Sequence, residues 1–87
     1  MKALFILNAA LYGSELTYNG LRLANALAKR EQHEVRVYLI GDAVGAAKQG
    51  QKVAEGLYNL QSMLEGFAQK DTRRVGVCGG CMDARGI

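Results

Sequence analysis

Proline and tryptophan are absent from this chain, histidine occurs once and cysteine twice. No apolar run approaches the roughly 18 residues of a membrane span. The first residues also lack the basic start, long apolar stretch and cleavage site of a secretory signal, so the chain reads as cytoplasmic, with no membrane partner. That compartment keeps a thiol pair mostly reduced, which disfavours a permanent disulfide staple. Like charges cluster no further than Lys29-Arg30 and Arg73-Arg74, and the net charge of +3 is scattered. Without a basic stripe or an aromatic platform, direct nucleic-acid binding is not expected. A structural zinc site needs four ligands, and two thiols with a distant His33 fall short within one subunit, so no metal or other cofactor is expected. His33, between Gln32 and Glu34 in a polar turn, reads as a solvated loop residue. The "YGSE" stretch carries no G-x-x-x-x-G-K pattern and is not a nucleotide site.

What is present describes one globular domain over residues 1–87, with 49% hydrophobic and 22% charged residues. A core of this size leaves little margin against chain entropy, so a partner subunit is expected to add stability. Ala3-Leu4-Phe5-Ile6-Leu7 is a continuous apolar run, the pattern of a strand buried on both faces of an α/β sheet. Ser14 is placed to cap a following helix with Glu15 in its first turn; Leu16, Leu23, Ala24, Leu27 and Ala28 recur at helical spacing. Val35 to Ile40 reads as a second strand, parallel to the first through a right-handed crossover. "DAVGAAKQGQKVAEG", residues 42–56, reads as a long excursion above the sheet with a short helical turn near Ala43 to Lys48. Leu57, Leu60, Met63, Leu64, Phe67 and Ala68 predict a helix over 57–70. Val75 to Cys78 predicts a short third strand, and Asp83 can cap another helix.

With the strands parallel, their following loops leave one edge of the sheet. A strand order of 2-1-3 would bring Cys78 beside Tyr12, Gly13 and Ser14 in the crevice where such sheets bind ligands. Glu15, Gln51 and Lys52 belong to the same expected crevice. A thiolate there would be favoured by helix N–H groups, by Arg85 and by Lys52, and opposed by the Asp83 carboxylate. The C-x-x-C spacing of Cys78 and Cys81 follows the third strand, whereas a thioredoxin-type pair would follow the first. Taken alone, the spacing also fits a buried strand cysteine and an incidental loop thiol, although Gly79-Gly80 leave room for a partner's approach. Ser14 reads as a cap more than a nucleophile, and Tyr12, Tyr38 and Tyr58 as packing residues with hydrogen-bonded tips.

In order, "NAALYGSE", "LRLANAL", "GDAV", "GQKVAEGLYNLQSML" and "CGGCMDARGI" together resemble the DsrE/DsrF-like family, most closely its YchN-like members, over nearly the whole chain. The resemblance implies a three-layer α/β/α domain with a mainly parallel sheet, assembled as trimers or hexamers. It implies a sulfur carrier or sulfurtransferase-like protein that relays sulfur as a persulfide on Cys78, ahead of Arg85-Gly86, between donor and acceptor proteins. Cys81 matches a second cysteine of the YchN-like members. The family continues past "ARGI" with further helix and strand, so the chain reads as C-terminally truncated. The residues themselves leave another reading open: a noncatalytic oligomeric module that binds a small anion or a protein partner in the crevice.

Overall fold

The strongest element of the sheet is Glu34–Leu39, β2, in which charged and apolar residues alternate. Glu34 and Arg36 point to solvent while Val35, Val37 and Leu39 are at most 1% exposed, the period-2 pattern of a strand with one wet face. In the computed structural model, which describes residues 1–87, β2 lies between β1 (Lys2–Leu7) and β3 (Val75–Val77). Both neighbours run parallel to it, with Leu4 opposite Arg36 and Tyr38 opposite Gly76. The order is therefore 1-2-3, which corrects the expected 2-1-3. The best-buried strand takes the centre, while β1 sits at an edge with Leu4 and Ile6 61% and 60% exposed. Its continuous apolar run had suggested burial on both faces.

Helix α1 (Leu16–Ala28) links β1 to β2, and α2 (Leu60–Ala68) follows a 3-10 segment (Gly41–Ala47) on the way to β3. A 3-10 turn (Thr72–Arg74) precedes β3, and α3 (Gly79–Ala84) follows it. Two right-handed crossovers that advance in the same direction put α1 and α2 on the same face of the sheet, where they touch each other. The architecture is the expected α/β parallel sheet, and these residues build the sheet and one helical layer.

Leu21 and Ala24 of α1, Leu60, Leu64 and Phe67 of α2, and Val35, Val37 and Leu39 of β2 form the core. The Asn59 side chain accepts from the Ser62 N–H at 3.0 Å and starts α2 there, so Leu57 lies outside the helix and is exposed. Leu16 and Leu23, expected on the packed face of α1, are exposed, and Thr17 is buried instead, its hydroxyl donating to the Ala9 carbonyl at 2.7 Å. The 3-10 segment is also packed: Ala43, Val44 and Ala46 belong to the core, so only the remainder of the predicted excursion stands free of it. No helix is long and apolar enough to cross a membrane.

Candidate functional site

The parallel ladder delivers the first cysteine. Beyond Val77 the Cys78 N–H still donates to the Leu39 carbonyl, at 2.9 Å, so the backbone of Cys78 is held in line with β3. Cys78 is extended and occupies the N-cap of α3, and its carbonyl accepts from the Met82 N–H at 3.1 Å. One turn of helix thus brings Cys81 back against Cys78; both thiols are free and partly exposed. The expected cap, Asp83, lies inside α3 instead, because Cys78 already starts the helix at Gly79-Gly80.

Gly41, just after β2, donates its N–H to the Cys81 sulfur at 3.3 Å. It does so from φ +60°, and a Cβ there would approach the Asn8 carbonyl oxygen at 3.3 Å, so glycine is required at this crossing.

Charge at the site centres on Cys78. The Cys81 N–H above all, and then the Cys81 thiol, favour its thiolate and hold its titration below that of an ordinary thiol; burial opposes them, and the Tyr38 hydroxyl and the Gly80 N–H add lesser effects in the lowering direction. Burial first, and the neighbouring Cys78 sulfur second, push the Tyr38 phenol up, so it stays protonated and remains a donor. Arg85 donates through Nε and Nη2 to Asp42 Oδ1 at 3.0 and 2.8 Å, and through Nη1 to the Cys81 carbonyl at 3.1 Å. It ties α3 to the 3-10 segment and lies close enough to both sulfurs to feel their charge. With the Asp42 side chain 64% exposed, Asp42→Ala is expected to cost no more than about 1 kcal/mol of stability. Chemical denaturation checks this, and a much larger loss would mean that the pair anchors α3.

Of the other expected site residues, Tyr12 and Gln51 are joined to one another. Tyr12 donates to Gln51 Oε1 at 2.8 Å and accepts from the Leu60 N–H at 3.2 Å, at the start of α2. The Gln51 side-chain amide donates to the carbonyls of Gly45, Ala46 and Lys48 at 3.0, 3.4 and 3.0 Å, so Gln51 is a packing hub of the long connection. Tyr58 stacks on Tyr18 with ring centroids 4.0 Å apart, and Tyr12 lies beyond it at 6.0 Å. Ser14 accepts from the Leu16 N–H at 3.3 Å, Glu15 takes the N-cap position without a side-chain bond, and Gly13 turns the chain at φ +88°. Lys52 is exposed and makes no salt bridge, and Asp83 is exposed.

With β2 between them, β1 and β3 lie about 10 Å apart, and no hydrogen bond joins the Tyr12 and Gln51 cluster to the cysteines. Tyr38, Gly41 and Asp42 are the thiol's neighbours that sequence reasoning did not find. The usable signal was the central position of β2, since whatever ends a central strand meets the end of the strand beside it. Cys78 and Cys81 have no third His, Cys, Asp or Glu placed to complete a metal site within the chain.

The chain is thus an α/β protein with a parallel sheet that presents a C-x-x-C turn directly after β3. The DsrE/DsrF-like family model matches residues 1–87, and the chain belongs to that family. It is 45% identical to Protein YchN of Escherichia coli K12 over 87 residues, covering 99% of this chain and 73% of that protein. An uncharacterized protein of Methanopyrus kandleri is 37% identical over 82 residues, covering 94% of this chain and 65% of that protein. The crystal structure of the E. coli YchN protein superposes with a TM-score of 0.81 at 44% identity, over all of this chain and 74% of that one.

Proposed function

We propose that this protein is a sulfur carrier that holds sulfur as a persulfide on Cys78. The observation that carries the reading is Cys78 itself, a free and partly exposed thiol at the N-cap of α3 just beyond β3, in surroundings that favour its thiolate. The chemistry requires little more. The Cys78 thiolate attacks the outer sulfur of a donor protein's persulfide; the new Cys78–sulfur bond forms as the donor's sulfur–sulfur bond breaks, and the donor leaves as a thiolate. The same exchange in reverse hands the sulfur to an acceptor protein. No electrons enter or leave, so no redox cofactor is called for. Membership of the DsrE/DsrF-like family supports this reading.

The test is intact-mass measurement after incubation with a cysteine desulfurase and cysteine. A gain of one sulfur, removed by a dithiol reductant, is expected. With no gain, the carrier reading falls and the second reading leads: a noncatalytic oligomeric module that binds a small anionic ligand or a protein partner at the C-terminal edge of the sheet.

One observation favours an oligomer under either reading. The sheet face opposite the helices leaves Leu4 and Ile6 exposed side by side on β1. We take this face to be covered by further copies of the chain, in a trimer or hexamer. Leu4→Glu with Ile6→Glu is expected to lower the mass measured by sedimentation equilibrium, and an unchanged mass would place the contact elsewhere.

A further inference from the structure

We propose that Tyr38 is the positioning residue of the sulfur-transfer step, its hydroxyl donating to the Cys78 sulfur from across Gly76 on the uncovered face of the sheet. This rests on the carrier reading. Its geometric basis lies in the register. Tyr38 stands opposite Gly76, and Cys78 follows two residues later along the same strand line, on the side of the sheet that Gly76 presents. Tyr38 and Cys78 thus stand diagonal to one another on adjacent parallel strand lines. Gly76 leaves the space that the ring occupies. A Cβ on Gly76 would lie 2.9 Å from Tyr38 Cδ1 and 3.4 Å from Cε1, inside contact distance, so any larger residue displaces the ring. On a face that no helix covers, Tyr38 is nevertheless partly buried, because it lies down along the sheet.

The role is donation without proton transfer. When the Cys78 thiolate attacks the outer sulfur of the donor persulfide, the phenol keeps its proton and the departing donor thiolate takes one from solvent. Three other charged or titratable side chains face the Cys78 sulfur or its neighbours: Cys81 on α3, Arg85 at the end of α3, and Asp42 on the 3-10 segment, where it is paired with Arg85. Arg85 and Asp42 largely offset one another. Tyr38 is left as the side-chain donor contributed by the sheet.

The experiment uses the Cys81→Ser protein, so that one thiol is read, with Tyr38→Phe and separately Gly76→Ala added to it. Ultraviolet absorbance of the thiolate is followed against pH, together with the rate of alkylation by iodoacetamide. Tyr38→Phe keeps the ring and is expected to move the Cys78 midpoint to higher pH. Alkylation at neutral pH should slow several-fold and recover at alkaline pH, where every variant is thiolate. Gly76→Ala, which keeps the hydroxyl but shifts the ring, is expected to move the midpoint the same way. Coincident midpoints for the Tyr38→Phe protein and its parent would overturn the proposal, whatever the persulfide assay reports. If the midpoint moves while wild-type protein gains no sulfur, the carrier reading fails and Tyr38 stands as a positioning residue of a thiol with another task.

Discussion

Phe67→Ala should remove about 3–5 kcal/mol of stability, against the roughly 5–15 kcal/mol that holds a small domain together. The ring is 1% exposed and lies on α2 in the one core the chain possesses. Arg74 compounds the effect. Its guanidinium lies 5.3 Å from the ring centroid, and Nη1 donates to the Phe67 carbonyl at 3.4 Å, so the chain entering β3 leans on the same residue. Truncation leaves a cavity and removes the ring beneath the Arg74 guanidinium, next to the strand that precedes Cys78. Urea denaturation of the variant should show an early transition or none, whereas Phe67→Leu, which keeps most of the volume, should lose much less. A loss below about 1 kcal/mol for the alanine variant would mean that the site collapses around the gap.

Cys78→Ser should lose the sulfur gain completely, and Cys81→Ser should keep it. The reason is positional: the surroundings of the Cys78 sulfur, the Cys81 N–H foremost, favour its thiolate, whereas the Cys81 sulfur receives the Gly41 N–H. Intact mass after incubation with desulfurase and cysteine reads the difference directly. Loss of the gain in Cys81→Ser alone would move the acceptor to the other thiol. The same arrangement links to stability. Because folding lowers the Cys78 titration, the thiolate stabilises the folded chain above the unfolded thiol value of about 8.5, and that contribution disappears as pH falls through the lower folded value. The stability gap between wild type and Cys78→Ser should therefore narrow on acidification, as denaturation midpoints across the alkaline to neutral range would record.

Local chemistry made much of this fold legible. Val35, Val37 and Leu39 alternate with charged Glu34 and Arg36, a pattern that only a one-sided strand satisfies, and Leu60, Leu64 and Phe67 recur at the spacing of one helix face. The order of the strands was not legible. Pairing β3 with β2 is a non-local choice, and neither crossover carries a residue that states whether the chain advances or doubles back. That single choice set the end of β2, with Tyr38 and Gly41, beside the strand and turn that carry the thiols. Tyr38 was hidden for a related reason, since its importance depends on a glycine 38 positions further on, Gly76, that becomes its neighbour only in the correct register. Cys78, Cys81 and Arg85 could be found because they share one short stretch of chain, from the N-cap to the C-cap of α3. The packed 3-10 segment was misjudged in part because its alanines and glycines look like loop residues until a core closes over them.

Gln51 has a chemical consequence for how the protein ages. Its amide nitrogen faces the carbonyl oxygens of Gly45, Ala46 and Lys48, and its carbonyl oxygen receives the Tyr12 hydroxyl. Hydrolysis of that amide would replace the donor with a carboxylate and turn three attractions into repulsions between oxygens. The order of the connection between the 3-10 segment and α2 thus depends on the survival of one side-chain nitrogen, and a sample in which Gln51 has deamidated is expected to be cut by proteases within residues 48–59 first.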